Sequence, residues 1–265
     1  MRRSSAATAI FQLIGKKESR QDIAVPARDD IIIKPCYNNR MNIPPVKKLV
    51  LYEDGDILII NKPANLPVLP DGWEPDAPYL LKLLLEKYPE LMVAHRLDKV
   101  TSGVMVFART PEAHRALNMQ FERHTTQKIY HAICVGIPKW DEHIARHKLR
   151  LNVGHSHRTV VDNGRGGPSE TQFKVLQRFS KFALLEAIPM TGKTHQIRVH
   201  AYALGHPLLG DTLYSAPPTE LIDRPCLHAQ SLTITHPTSG ELLTFSAPYP
   251  QDMKEVLEKI QDKKK

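Results

Sequence analysis

The feature that most constrains this chain is a polar loop that leads directly into a short apolar strand. The loop has the sequence H-R-L-D-K-V-T-S-G at residues 95–103, and the apolar run V-M-V-F follows at residues 104–107. A strand is rigid, so it holds the side chains of an adjoining loop in fixed positions, and proteins often place reactive groups there. We therefore expect this loop to carry the chemistry of the protein.

Asp98 is the one carboxylate of this loop, and Arg96 and Lys99 lie close to it in the sequence. Neighbouring cations favour the ionised form of a carboxylate, and an ionised aspartate can act as a nucleophile or as a base at neutral pH. On residue types alone, however, an aspartate that holds a turn through its own backbone is the simpler interpretation. The loop by itself leaves both interpretations open.

Three segments, in order along the chain, resemble the RluA family of RNA pseudouridine synthases. The string H-R-L-D-x-x-T-S-G at residues 95–103 resembles the catalytic loop of that family at every fixed position. Residues 127–132, Q-K-I-Y-H-A, resemble its K-x-Y-x-A strand. Residues 192–200, G-K-T-H-Q-I-R-V-H, resemble its G-R-T-H-Q-I-R-V-H segment, and the likeness as a whole covers about residues 46–248.

The resemblance implies an α+β fold, the pseudouridine synthase fold, in which a mixed and mostly antiparallel central sheet carries flanking helices and a central RNA-binding cleft. It implies an enzyme that isomerises a uridine of structured RNA to pseudouridine, with RNA as its partner and with no cofactor and no metal. Asp98 would be the catalytic carboxylate, paired with Arg198. Tyr130 would stack on the target base, Arg96 would hold the flipped strand or fill the vacated space, and Ile197 would form an apolar wall.

Two positions depart from the pattern of the family. The segment K-P-A-N-L-P at residues 62–67 resembles N-K-P-x-G-L-P-V, but Asn65 stands where the pattern usually has glycine. Asparagine also tolerates a left-handed backbone, so we expect the turn to be kept. Lys193 replaces the usual arginine, and a lysine cannot make the same bidentate contact.

The charge of the chain favours an anionic partner. Lysine and arginine number 36 against 28 aspartates and glutamates, and the isoelectric point is near 9.3. Nucleic acid is the commonest such partner, although many soluble proteins are mildly basic without one. Three widely spaced cysteines without a C-x-x-C pair argue against a disulfide framework or a zinc site and fit a reducing compartment. The apolar runs are short, so we expect no membrane span.

Residues 141–159 contain four histidines, of which His143 and His147 have the i, i+4 spacing of a possible metal site. The segment lacks a convincing set of further ligands. We prefer a basic hairpin that faces RNA, in which four cations contact phosphates: Arg146, Lys148, Arg150 and Arg158.

Residues 1–45 differ from the rest of the chain, because their opening M-R-R-S-S-A-A-T-A-I-F-Q-L-I-G-K-K has no acidic residue before Glu18. We expect a flexible basic arm that helps to hold RNA, too short for the S4-type domain that many relatives carry there. Residues 46–265 would then form the catalytic domain. We expect a cytoplasmic monomer without a protein partner, and an organellar protein is the alternative if the arm is a transit peptide.

Hydrophobic periodicity and turn residues predict short strands separated by helices. Thr110 and Pro111 are typical of a helix start, and Gly205 of a helix end. The predicted strands are residues 48–52, 57–61, 104–109, 129–135, 171–179, 183–189, 231–235 and 242–245, and the predicted helices are residues 79–88, 110–123, 195–204 and 251–260.

The runs A-L-G-H-P-L-L-G-D at residues 203–211 and L-H-A-Q-S-L-T-I-T-H-P at residues 227–237 resemble the branch of the family that acts on large-subunit ribosomal RNA, sometimes with a transfer RNA anticodon stem-loop as a second target. A non-catalytic RNA-binding or ribosome assembly factor with the same fold is the alternative, and the intact set of Asp98, Tyr130 and Arg198 argues against it. A hydrolase that uses Asp98 would lack a second carboxylate in these motifs.

Overall fold

The computed structural model describes residues 43–70, 77–154 and 158–261, which belong to one compact unit, Ile43–Lys265. Residues 1–42 of the predicted arm, together with His155 and His157, lie outside the described residues, so the prediction of a flexible arm stays a prediction. No helix within the described ranges is long and apolar enough to cross a membrane.

The described part of the chain is built around one mixed sheet. Its eleven strands are β1 Val50–Glu53, β2 Ile57–Lys62, β3 Met92–Val93, β4 Ser102–Ala108, β5 Gln127–Val135, β6 Glu142–Val153, β7 Arg158–Val161, β8 Gly167–Arg178, β9 Phe182–Pro189, β10 Leu227–Thr235 and β11 Leu242–Ser246. The main path runs β1-β2-β4-β10-β5-β9-β8-β6-β7, while β3 pairs with β4 and β11 with β10. Strands β4 and β10 are parallel, and the other described pairs are antiparallel.

This sheet confirms the predicted fold class, a mixed and mostly antiparallel α+β architecture. Strand β4 runs between β2 and β10, and all seven of its residues are buried. A strand that is covered on both faces reads as a continuous apolar run rather than an alternating one, and this is the pattern of residues 104–107. The polar loop therefore ends at a rigid, central point of the sheet.

Five α-helices in the described ranges accompany the sheet: α1 Val46–Leu49, α2 Leu80–Leu85, α3 Pro111–Glu122, α4 Gln196–Ala203 and α5 Gln251–Ile260. Helix α3 begins as predicted, because the hydroxyl of Thr110 accepts a hydrogen bond from the Ala113 amide at 3.1 Å and Pro111 is the first helical residue. Helix α4 ends just before Gly205, whose φ is 80°. Helix α5 has the predicted bounds.

Several predicted elements differ from the observed ones: β3 was not predicted, and β8 and β10 begin four residues before the predicted strands. Lys48 and Leu49 were predicted in a strand but lie in α1, where the Lys48 amide donates to the carbonyl of Pro45 at 2.8 Å. The fixed φ of a proline favours such a helical turn. Helix α2 ends at Leu85 rather than at Tyr88. The proline after Tyr88 disfavours helical backbone in Tyr88 itself.

Apolar side chains from the two halves of the sheet form separate clusters. One of these clusters includes Leu58 and Phe107 and is covered by α2, and another includes Phe173 and Leu185 and is covered by α4. Tyr130 on β5 is partly buried and packs against both. Its ring therefore lies where the two halves of the sheet meet.

Candidate active site

A cleft of about 400 Å³ opens between the polar loop, the end of α3, strand β5 and the start of α4. Its volume lies in the range of sites that bind small ligands. The structure brings all of the site residues predicted from the sequence to the lining of this cleft: Arg96, Asp98, Tyr130, Ile197 and Arg198.

Two buried cations hold the backbone of the polar loop next to Asp98. The Lys62 ammonium donates to the carbonyl oxygen of Lys99 at 3.2 Å. The Arg224 guanidinium donates to the carbonyl oxygen of Val100 at 3.2 Å. Both cationic side chains are buried, whereas the side chain of Asp98 keeps 27% of its surface exposed. The loop backbone is thus fixed from inside the protein while the carboxylate faces the cleft.

Lys62 is a residue to which the sequence analysis gave no role. Its ammonium also donates to the carbonyl oxygens of Pro63 at 2.8 Å and Leu66 at 2.7 Å. Burial lowers the pKa of Lys62 to about 7, while the charge of Asp98 raises it and the charge of Arg224 lowers it. The sequence feature that could have indicated this role is the position of Lys62 at the end of an apolar strand. A lysine there can be buried only if nearby groups accept its hydrogen bonds.

Arg198 does not form the ion pair with Asp98 that the family resemblance implied. Its Nε and Nη2 donate instead to the two carboxylate oxygens of Asp211 at 2.7 and 2.8 Å. Asp211 is fully buried, and its two oxygens accept one hydrogen bond each from the planar guanidinium. Burial lowers the pKa of Arg198, but the hydrogen bonds and charge of Asp211, followed by the charge of Asp98, raise it overall. Asp98 therefore interacts with Arg198 through charge alone.

Tyr130 and Lys128 line the cleft from β5, on the same face of the strand because they are two residues apart. Burial raises the pKa of the Tyr130 phenol, and the charge of Asp98 adds to the shift. Burial lowers the pKa of Lys128. Ile197, which is 5% exposed, is an apolar part of the opposite wall. The cleft thus combines a neutral phenol, an apolar wall and nearby cations.

Cations surround the mouth of the cleft. Arg96 is exposed there, and Lys193 is half-buried. The departure at Lys193 from the arginine of the family therefore keeps a positive charge on the lining. Glu122 is the acidic residue on the same lining besides Asp98. Such a charge balance favours the approach of a phosphate backbone.

His195 is a second residue that the sequence analysis did not single out. It directly precedes α4 with a left-handed backbone, φ 57°, which is uncommon for a residue other than glycine and is often found at functional positions. Its Nε2 lies 3.9 Å from the Asp98 carboxylate, and it lines the cleft. The signal in the sequence was its place within T-H-Q-I-R, three residues before Arg198.

The structure also locates the side chains that a metal could use. His143 and His147 both lie on β6, and residues four apart in a strand are roughly 13 Å apart, so their spacing does not bring them together. Within the described ranges, Asp54, Asp56 and His236 place possible ligand atoms within 4.8 Å of one another. Asp54 already accepts hydrogen bonds from two backbone amides and faces His236 at 3.0 Å. These residues do not line the cleft.

Comparison with known proteins identifies the family. A family model described as RNA pseudouridylate synthase matches residues 56–203, more than half of the chain. The chain belongs to the RNA pseudouridylate synthase family. This agrees with the family that the three sequence motifs resemble.

Two relatives of the family indicate how far the similarity extends. The chain is 36% identical over 244 residues to a ribosomal large subunit pseudouridine synthase D of Neisseria meningitidis serogroup A, covering 86% of this chain and 65% of that protein. It is 37% identical over 202 residues to the dual-specificity RNA pseudouridine synthase RluA of Escherichia coli, covering 76% of this chain and 92% of that protein. The chain therefore spans about two thirds of the length of the first relative and nearly all of the second.

A solved structure of the family has the same fold. The human RNA pseudouridylate synthase domain containing 4 superposes with a TM-score of 0.68, covering 81% of this chain and 94% of that chain. The two sequences are 24% identical, so this likeness concerns the fold. It agrees with the mixed sheet described above.

Proposed function

We propose that this chain is an RNA pseudouridine synthase, an isomerase that converts a uridine of structured RNA to pseudouridine. The glycosidic bond between ribose C1′ and N1 of uracil breaks, and C1′ forms a new bond to C5 of the same base. Nothing is oxidised and no group is gained, so the reaction needs no cofactor. The observation that carries the proposal is the meeting of Asp98, Tyr130 and Arg198 in one cleft of a chain that belongs to this family.

Asp98 is the catalytic carboxylate in this proposal. It attacks C1′ of the ribose, adds to C6 of the uracil, or takes a proton from C2′, and each route needs an ionised carboxylate in contact with the nucleotide. The bonds from Lys62 and Arg224 to the adjoining carbonyls support such a role, because they fix the loop without covering the carboxylate. The buried pair of Arg198 and Asp211 adds a rigid cation nearby.

The remaining predicted residues bind the nucleotide. A target uridine in a folded RNA must leave its stack, which costs a few kcal/mol. The ring of Tyr130 offers a stacking surface for the flipped base, and Ile197 limits the access of water. Arg96, exposed at the mouth of the cleft, holds the flipped strand or fills the space that the base vacates.

The proposed substrate is large-subunit ribosomal RNA, with a transfer RNA anticodon stem-loop as a possible second target. This follows the names of the relatives, one a large-subunit ribosomal enzyme and one a dual-specificity enzyme. We further propose that residues 46–265 carry the catalysis, that residues 1–45 help to hold RNA, and that the protein acts as a cytoplasmic monomer. The excess of 36 lysines and arginines over 28 acidic residues supports an RNA partner.

The test maps pseudouridine in ribosomal and transfer RNA from three strains. The first has the gene, the second lacks it, and the third carries the gene for the Asp98→Asn variant in its place. We expect at least one site to disappear on deletion and to stay absent with Asp98→Asn, since the variant keeps the shape of the side chain but should lower the rate roughly a thousandfold or more. Asp141→Asn is the control, because Asp141 pairs with exposed Arg178 outside the cleft. If every site persists on deletion, or if Asp98→Asn restores the lost site, the proposal is wrong.

A further inference from the structure

The imidazole of His195 links the cleft to a buried hydrogen-bond network. Its Nδ1 lies 3.2 Å from the hydroxyl of Tyr214, a residue that is 2% exposed. Its Nε2 points to the other side and lies 3.9 Å from a carboxylate oxygen of Asp98. One ring nitrogen is therefore anchored inside the protein, and the other faces the reacting carboxylate.

The bonds of Tyr214 decide which nitrogen of His195 carries the proton. The hydroxyl of Tyr214 donates its single proton to the carbonyl oxygen of Thr159 at 2.9 Å, because a carbonyl can only accept. The same hydroxyl accepts from the Thr159 amide at 3.1 Å. Its contact with His195 must then be a bond in which Nδ1–H is the donor. In the neutral imidazole this leaves a free lone pair on Nε2.

Burial favours that neutral form, against the charge of Asp98. Burial is the largest influence and lowers the pKa of His195, and the charge of Arg198 lowers it further, while the charges of Asp98 and Asp211 oppose the shift. The groups that face the ring are Asp98 from the loop, Arg198 from α4, and Asp211 and Tyr214 from the segment after α4, with Lys128 and Lys193 on the same cleft lining. The outcome is an imidazole able to accept a proton at neutral pH.

The proposed reaction requires such an acceptor. Pseudouridine has lost the hydrogen on C5 and gained one on N1, whichever way the glycosidic bond is broken. After C5 has bonded to C1′, C5 is tetrahedral and its hydrogen must leave as a proton. Tyr130 is poorly suited to take it, because burial and Asp98 raise the pKa of the phenol and keep it protonated. Asp98 is the competing acceptor, but each of its possible routes engages it in an earlier step.

We propose that His195 is a catalytic residue, whose Nε2 takes the proton from C5 after the new carbon–carbon bond has formed and returns it to N1. The electron pair of the C5–H bond forms the C5–C6 double bond, and the electron pair of the C6–N1 double bond moves to N1. N1 then accepts a proton, so the imidazole ends neutral and the reaction is balanced. The inference rests on the proposed function, and it adds to it the route of the proton.

The geometry excludes His95, the other partly buried histidine of the lining, from this role. The Nε2 of His95 already accepts a hydrogen bond from the Val106 amide at 3.1 Å, and its ring stacks on Phe121 with centroids 4.4 Å apart. Burial lowers the pKa of His95 to about 3. Its lone pair is therefore used within the fold, while that of His195 faces Asp98.

The test follows the release of tritium to water from ribosomal RNA that carries [5-³H]uridine, isolated from cells that lack the gene. The variants are His195→Ala, which leaves room for added imidazole, and His195→Asn, whose amide can keep the bond to Tyr214. General base catalysis typically contributes about 100-fold to 10,000-fold, so we expect kcat to fall at least about 100-fold with KM for RNA unchanged. Added imidazole should restore activity to His195→Ala in proportion to the concentration of neutral imidazole. Glu255→Gln should behave like the wild type, because Glu255 is exposed on α5 and does not line the cleft.

The proposal is overturned if both variants keep kcat within threefold of the wild type. It is also overturned if imidazole has no effect on a slow but folded His195→Ala, since that result indicates a structural role. If His195→Ala does not fold, kcat and KM are measured on a folded His195→Asn instead. A lower kcat with an unchanged KM supports the proposal, and an unchanged kcat overturns it. Release of no tritium by the wild type would contradict the proposed function itself, whereas normal release by the variants contradicts this inference alone.

Discussion

Arg198 and Asp211 form a buried, bidentate salt bridge with N–O distances of 2.7 and 2.8 Å, and this pair stands where the family resemblance implied a pair between Arg198 and Asp98. Breaking a buried pair on one side leaves an uncompensated charge, which typically costs several kcal/mol. Replacing both partners by apolar side chains costs much less. The pair therefore holds the guanidinium at the wall of the cleft more than it stabilises the protein.

Asp211→Asn should lower the free energy of unfolding by about 3–5 kcal/mol, because the guanidinium of Arg198 loses its charged partner in a buried site. The double variant Arg198→Met with Asp211→Leu should lose less stability but all activity. Urea unfolding measures the stability of both variants. The control is Asp141→Asn in the exposed pair with Arg178, which should lower the free energy of unfolding by less than about 1 kcal/mol. A wild-type stability of Asp211→Asn would show that Arg198 finds another partner.

Asp252 should affect the rate from a position outside the cleft. It accepts two hydrogen bonds from Arg224, at 2.6 and 2.9 Å, and Arg224 in turn donates to the carbonyl of Val100 in the loop that carries Asp98. Asp252→Asn removes the charge that fixes the guanidinium, and small displacements of catalytic groups can cost up to about 100-fold in rate. We expect kcat to fall roughly 10-fold or more while the affinity for RNA stays unchanged.

Glu255→Gln on the same helix is the matched control for Asp252→Asn, because Glu255 is exposed and bonds to Gln251. Single-turnover rates and filter binding on the same RNA separate the two effects. Equal loss of rate in both variants would mean that the helix acts through its general stability. Loss of RNA affinity in Asp252→Asn would instead place this surface in the binding site.

Local chemistry made part of this fold predictable from the sequence. Thr110 and Pro111 mark the start of α3, because a hydroxyl cap and a proline suit the first turn of a helix, and the cap is present at 3.1 Å. Asn65 keeps the left-handed turn that the family usually builds with glycine, with φ 61°. These features depend on neighbours within a few residues, so the sequence contains all that decides them.

Long-range pairing was not predictable in the same way. The partner of Arg198 is decided by the path of the chain after α4, which brings a buried carboxylate 13 residues away to its fork. Lys62 looks like a surface lysine, but it is buried because the carbonyl of Lys99, 37 residues later, meets it. Spacing along the chain cannot distinguish these partners from the many other polar residues near the site.

Acid should destabilise the protein in a way that can be traced to His228. Its Nε2 faces the carbonyl of Ala247 at 3.2 Å, so it donates there, and its Nδ1 accepts from the hydroxyl of Ser102 at 2.9 Å. Burial lowers the pKa of His228 from 6.5 to about 4. The unfolded chain therefore binds a proton at a higher pH than the folded one, and stability is lost as the pH falls from 6.5 towards 4.

At pH 5 this single site should reduce the free energy of unfolding by about 2 kcal/mol relative to pH 7. In His228→Gln the loss between pH 7 and pH 5 should be smaller by that amount, since other buried histidines titrate alike in both proteins. Urea unfolding at the two pH values measures the difference, and exposed His124→Gln serves as the control. An unchanged loss in His228→Gln would mean that His228 does not titrate in this range.

Gly103 should tolerate no side chain, and this explains why the motif of the loop ends in glycine. Its φ is 116°, a conformation that other residues rarely adopt. A Cβ built on it would overlap the carbonyl oxygen of Ala229 and lie 2.6 Å from the Ala229 nitrogen. The two residues are paired across the parallel strands β4 and β10, so the neighbouring backbone could yield only by separating the strands.

Gly103→Ala should therefore lower the free energy of unfolding by more than about 3 kcal/mol, since it combines backbone strain with a steric overlap that the sheet cannot relieve. Any folded fraction should have a reduced kcat, because the displaced strand begins only a few residues after Asp98. Gly55→Ala is the matched control, since a Cβ there meets no atom within 4 Å. Thermal and urea unfolding compare the two variants, and a Gly103→Ala protein as stable as Gly55→Ala would contradict the close strand pairing on which the position of the loop depends.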